Sequence, residues 1–180
     1  MKFTPTRIDG LLLIEPSPSR DARGSFARLW CAETFAKAGY SFVPVQISSA
    51  TNTRAATLRG LHWQTAPHGE TKLIRVMRGR IWDVIVDLRA GSPTKYRWEA
   101  FELDAASGRT LLVPRGCAHG YITLEDDTEV LYAMDVPQAP DFARGARWND
   151  KLFGINWPIE PRVISERDAN WPDYRGEEAP

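Results

Sequence analysis

The chain has 180 residues, 43% of them hydrophobic and 26% charged, a length and apolar content that suit one globular domain spanning residues 1–180 and exclude a disordered polymer. A formal net charge of zero, with no dominant basic block, gives no electrostatic footprint for nucleic acid and no polybasic patch for a membrane. The opening MKFTPTRIDG lacks an apolar signal core, and LLLI is far short of the ~20 residues that span a bilayer, so a soluble, cytoplasmic protein is expected.

In chain order, FTPTRIDGLLLIEP is strand-like, and CAETFAKAG carries a short amphipathic helix ending at Gly39, where glycine can take the left-handed cap. From about Phe42 to Val136 strands dominate. KLIRVM, IWDVIVDL, WEAFEL, TLLV, GYITL and EVLYAMDV are short, rich in β-branched and aromatic residues, and often alternate in polarity. The basic cluster Arg75, Arg78 and Arg80 surrounds a turn-like Arg78-Gly79 and reads as a solvated hairpin end. From Asp150 onward, Trp157-Pro158, Pro161 and Trp171-Pro172 predict irregular chain laid over the strands. This pattern predicts an all-β barrel or sandwich. Cys31 and Cys117 form neither a CxxC pair nor a disulfide framework and are expected to be buried, reduced thiols.

The chain has no GxGxxG after a strand, no GxxxxGK[ST], no HExxH and no GxSxG, which removes sequence support for nucleotide-phosphate loops, zincins and serine hydrolases. Two of its three histidines fall in LRGLHWQTAPHGETK. On residues alone, His62 is either a hydrogen-bonded structural histidine or a base, and His68, in the polar APHGE, is an exposed loop residue. Tyr132 alternates with Val130 and Met134, the pattern of a core tyrosine, and Asp83 shares a face with Ile81 and Ile85, so its carboxylate can point inward. Arg59 could simply pair with an acid.

The segment GRTLLVPRGCAH resembles the second half of the cupin signature, which implies a double-stranded β-helix of the jelly-roll kind. Pro114 and Gly116 make its tight turn, and the next strand sets His119, Tyr121 and Thr123 on one face. Where metal-binding cupins carry their first ligand motif, this chain has His62-Trp63-Gln64 with Glu70 further on. The usual ligand count is not met, so no metal is expected.

LRGLHWQ, KLIRVMRGRIWDVIVDLRAGSPT, VPRGCAHGY, Tyr132, RWNDKLFGINWP and ISERD occur in an order and spacing that resemble the dTDP-4-dehydrorhamnose 3,5-epimerase family, over about Asp21 to Asp168. The resemblance implies a cofactor-free, metal-free cupin barrel that forms homodimers and inverts C3 and C5 of a nucleotide-linked 4-keto-6-deoxyhexose in rhamnose synthesis. It implies His62 as base, Asp168 as the carboxylate that orients it, Lys72 as the cation near the ketone oxygen and Tyr132 as the acid on the opposite face. It also implies His119, Arg59 and Gln46 as substrate-site residues and Arg23 and Arg167 as diphosphate or nucleotide contacts. Arginine's planar fork suits phosphate oxygens in its own right.

The chain departs from the family pattern at Arg28, where a substrate-contacting glutamate is usual, at Gln138 and Ala143, and in QISSATN. These positions leave open a different nucleotide, C3-only epimerisation or a 3,4-ketoisomerase reaction. A metal-dependent cupin oxygenase or isomerase, or a non-catalytic sugar-binding barrel, are the more distant readings.

Overall fold

The structure is a computed structural model and is described for residues 1–176. Its elements in chain order are β1 (Lys2–Pro5), β2 (Leu12–Glu15), β3 (Ser19–Asp21), β4 (Gly24–Phe26), α1 (Ala32–Lys37), β5 (Gln46–Asn52), β6 (Thr57–Gln64) and β7 (Lys72–Arg78). There follow β8 (Arg80–Asp87), β9 (Trp98–Asp104), β10 (Thr110–Val113), β11 (Cys117–Thr123), β12 (Thr128–Met134), β13 (Ala143–Gly145), β14 (Val163–Ile164) and α2 (Glu166–Ala169). One sheet runs β1-β2-β10-β7-β12-β5 and the other β13-β6-β11-β8-β9, with β14 added to β6; β3 and β4 form a separate ribbon.

Two antiparallel sheets with apolar inner faces bury them against each other. Ile74, Val76, Leu111 and Val130 from the first sheet meet Ile81, Ile85, Leu103 and Tyr121 from the second in one core. The outer face of the second sheet is covered as well. Trp63, Trp82, Trp98, Phe153, Trp157 and Tyr174 pack there, so the chain beyond Asp150 is laid across the sheet as its prolines and tryptophans predict. It is more ordered than expected. Val163 and Ile164 pair in parallel with Thr57 and Leu58, and the Ser165 hydroxyl caps α2 by accepting from the Asp168 N–H at 3.1 Å.

All six strand segments and the helix named from the sequence are present, and Gly39 takes the left-handed φ of +86° after α1. The N-terminal strands fold into the chain's own sheet, β1 on β2 and β2 on β10, which leaves β1 and β5 as that sheet's edges. Two smaller expectations change. Cys31 is half-buried ahead of α1, while Cys117 is buried and its thiol is pushed up to about 12 by desolvation. His68 is half-buried, its ring 4.4 Å from that of Phe142, because the 140–142 turn folds over it.

Candidate active site

His62 and Gln64 alternate along β6, so both point to one face, and His62 is paired across the ladder with His119 on β11. On the opposing sheet the register pairs Tyr132 with Ser48 and Ile74, and Met134 with Gln46 and Lys72. Both faces contribute to one cavity of about 280 Å³, lined among others by Gln46, His62, Lys72, Tyr132, Gln138 and Arg167. That is at the lower end of the roughly 300–1,000 Å³ usual for ligand pockets.

Strand β6 cannot run regularly past Gly60. That residue has φ +117°, and a Cβ there would lie 2.6 Å from Gly120 Cα and 2.7 Å from the His119 carbonyl oxygen, so only glycine permits the two strands to approach. The ladder shifts register at this point, and the Gly60 N–H turns to donate to Asp168 Oδ2 at 3.1 Å. The other carboxylate oxygen, Oδ1, lies 2.7 Å from His62 Nε2 and also receives the Trp171 indole N–H at 3.3 Å. Desolvation works against the anion, but the bond and charge of His62, helped by the Gly60 and Trp171 donors, outweigh it and hold Asp168 below the usual carboxylate range. Because β14 ties the tail to the start of β6, this contact across 106 residues is reached by a single turn of chain.

Across the cavity, desolvation keeps the Tyr132 phenol well above its ordinary value, with the neighbouring Tyr121 hydroxyl adding to the effect. Tyr132 therefore holds its proton near neutral pH. His119 is fully buried behind it, with the rings edge to face at 6.0 Å and Nε2 2.6 Å from Asp83 Oδ1. Burial pushes Asp83 up while His119 pulls it down. The inward carboxylate anticipated at Asp83 is thus present. Arg59 is exposed beside this network, donating from Nε to Asn52 Oδ1 at 2.8 Å, while Asn52 in turn donates to the Tyr121 hydroxyl at 3.2 Å. It pairs with an amide, not an acid.

Lys72 lines the cavity with Nζ 2.6 Å from Glu70 Oε1, both side chains at most 15% exposed. His62, His119 and Glu70, the donors a metal could have recruited, therefore each face a different partner, and among the described residues no three His, Cys, Asp or Glu side chains cluster as ligands. Arg23 and Arg28 are not among the residues lining the cavity. Arg23 sits on the β3–β4 ribbon paired with Asp21 at 2.5 Å, and Arg28 approaches Thr34 Oγ1 at 3.5 Å. The departures Gln138 and Ala143 do line it.

A family model for dTDP-4-dehydrorhamnose 3,5-epimerase matches residues 5–176. The chain belongs to the dTDP-4-dehydrorhamnose 3,5-epimerase family. A protein of that name from Sinorhizobium fredii is 38% identical over 96% of this chain and 89% of its own length. The crystal structure of the Bacillus anthracis enzyme with TDP and PPi bound is 40% identical, covers 95% of this chain and 98% of its own, and superposes with a TM-score of 0.92. The Legionella pneumophila epimerase, in complex with dTDP-4-keto-L-rhamnose, is 31% identical over 95% and 91% of the two chains, with a TM-score of 0.89. The fold is accordingly the cupin-type barrel of that family.

Sequence reasoning passed over Gln64, Ser48, Glu70's pairing with Lys72, and Trp171. Alternation with His62 and Gln46 could have found the first two. Gln64 fixes the cavity rim, donating to the His68 carbonyl at 3.0 Å and accepting from the Ala139 N–H at 2.6 Å.

Proposed function

We propose that the protein epimerises C3 and C5 of a dTDP-linked 4-keto-6-deoxyhexose, the conversion of dTDP-4-dehydro-6-deoxy-D-glucose to dTDP-4-dehydro-L-rhamnose. The observation that carries this is a carboxylate-oriented imidazole facing a protonated phenol across one cavity, with an ammonium in its wall. A proton on a carbon next to the C4 ketone is removable if a base is in reach and the enolate oxygen is stabilised. His62 takes the proton, and Asp168 holds the tautomer and supports the imidazolium that forms. Lys72 supplies the charge partner for the enolate oxygen. Tyr132 returns a proton from the other face, which inverts the centre, and repetition at the second flanking carbon completes the reaction.

Gln46 in the cavity wall faces the sugar side; His119 and Arg59, which do not line the cavity, act on it from behind Tyr132, and Arg167 in the wall suits the diphosphate. Arg23 and Arg28 lie on surfaces of their own, so a nucleotide role for them requires another copy of the chain. We further propose a homodimer built on the β5 edge, where Val43, Val45 and Ile47 are 57%, 59% and 64% exposed. Two free thiols accord with a cytoplasmic location, and no helix of the described residues is long and apolar enough to cross a membrane. Proton NMR of the product formed from dTDP-4-keto-6-deoxyglucose tests the main reading. Inversion at both C3 and C5 is expected, and a product unchanged at both centres would refute it.

A further inference from the structure

Trp171 follows α2 and is placed three residues after Asp168 and four after Arg167. Its ring lies flat on Gly145, where an added Cβ would come within 2.2 Å of Cε2 and 2.4 Å of Nε1, so the backbone there has been left bare for the indole. Gly145 is the residue paired with His62 in the β13–β6 ladder. From that seat the indole N–H reaches Asp168 Oδ1, the same oxygen that meets His62. The face of the ring meanwhile carries the Arg167 guanidinium, with Cζ 4.9 Å from the centroid. One side chain therefore touches the carboxylate behind the base and the arginine in the cavity wall.

We propose that Trp171 is a positioning residue for the epimerisation, fixing the Asp168 carboxylate through its N–H and holding the Arg167 guanidinium on its ring, so that the proton-transfer end and the anion-binding end of the site are set by one group. The inference rests on reading the cavity as an epimerase site. A carboxylate oxygen shared by two donors has a fixed plane and a reduced electron density. Without the indole N–H, Asp168 Oδ1 keeps His62 alone as a side-chain donor among the described residues, so the carboxylate is freer to turn and a stronger partner for an imidazolium. A planar guanidinium stacked on an aromatic face has little rotamer freedom left to lose when it grips a phosphate.

Trp171→Phe and Trp171→Leu separate the two contacts, since phenylalanine keeps a ring on Gly145 and under Arg167 but has no N–H. In Trp171→Phe, kcat is expected to fall about five-fold with KM within about two-fold, from loss of one hydrogen bond to a charged group. The acid limb of kcat/KM moves to higher pH. Trp171→Leu shows the same change and in addition weakens inhibition by dTDP about three-fold, from loss of the stacked arginine. A readout independent of turnover comes from the imidazole signals. With three histidines in the chain, the His62 ring signals can be assigned by their loss in His62→Ala, and the tautomer that its ring 15N shifts report should become mixed in Trp171→Phe, because the carboxylate that selects it is less firmly held.

If Trp171→Phe keeps the wild-type kcat and His62 tautomer, or if both variants lose activity only in proportion to a lowered thermal midpoint with the pH profile unmoved, Trp171 is packing and the inference falls alone. If His62→Ala still exchanges solvent deuterium into the sugar like the wild type, the base reading fails, and Trp171 falls with it.

Discussion

At the residue scale, the division of labour proposed for His62 and Tyr132 would make the two half-reactions separable. A base that exchanges its proton with solvent labels the substrate without inverting it. In D2O, Tyr132→Phe is therefore expected to incorporate deuterium at C3 and C5 while forming little inverted product, and His62→Ala to do neither, both read by NMR. Asp168→Asn should slow both steps by orders of magnitude, because an amide that accepts the Gly60 N–H cannot also hold the imidazole tautomer as the carboxylate does. Lys72→Ala should slow deuterium exchange about 10²-fold, the loss of one preorganised partner for a developing oxyanion. That variant also strands the Glu70 carboxylate, which is only 8% exposed, so Lys72→Met with Glu70→Gln gives the cleaner comparison. Exchange at the wild-type rate in either form would remove Lys72 from the enolate.

At the element scale, β8 ends in Asp87, whose carboxylate receives the Arg89 guanidinium, the Arg89 N–H and the Ser92 and Thr94 hydroxyls, pinning the loop that leads to β9. Burial opposes the anion, but these donors win and hold Asp87 at about 2. A carboxyl depressed on folding stabilises above its unfolded value and loses that contribution as pH falls through the folded one. The shift corresponds to roughly 2 kcal/mol, so Asp87→Asn should lose about that much stability at pH 7, with the deficit shrinking between about pH 4 and pH 2; urea melts across that range check it. A deficit that persists undiminished at pH 2 would assign it to packing instead. Such an anchor shows what was readable. DVIVDLR announced its strand by apolar and β-branched content, and Gly39 marked a real helix end because its chemistry is local. Arg78-Gly79 marked a real break but not the expected hairpin end: the positive φ of Gly79 bends the chain out of one sheet into the other, and Arg75 is partly buried against the Gly108 carbonyl. The His62–Asp168 contact has no local signal, since its partners are 106 residues apart and meet only because β14 docks on β6. Without the family motif, ISERD is an isoleucine and four polar residues in an irregular tail. The ordering of that tail escaped notice for the same reason: its tryptophans and Tyr174 gain their meaning from the outer face of a sheet that no short window of sequence describes.

At the scale of the whole molecule, the barrel leaves edges whose treatment differs. On β1, Lys2 is paired with Glu15, and β9 presents Glu102, which is held by Arg80; charges of this kind discourage a second sheet from adding on. Among the described residues the β5 edge has no comparable guard. Val43, Val45 and Ile47 alternate on the approach to and start of the strand, each more than half exposed. An apolar strip beside unpaired backbone donors and acceptors is covered in a stable protein, and a second copy is the occupant that the homodimer expectation names. In an isologous pair each alteration is met twice, so one charge placed in the strip faces its own image or a buried apolar side chain in the partner. Ile47→Asp is therefore expected to convert a dimer at micromolar concentration into a monomer, followed by light scattering. His62, Asp168, Lys72 and Tyr132 all belong to one chain, so the monomer should still exchange substrate deuterium. If Arg23 and Arg28 serve another copy's site, KM for the sugar nucleotide should rise in the monomer while exchange at saturation is largely kept. A wild-type protein that is already monomeric at that concentration would overturn the assembly, and a monomeric variant with unchanged KM would remove both arginines from the site.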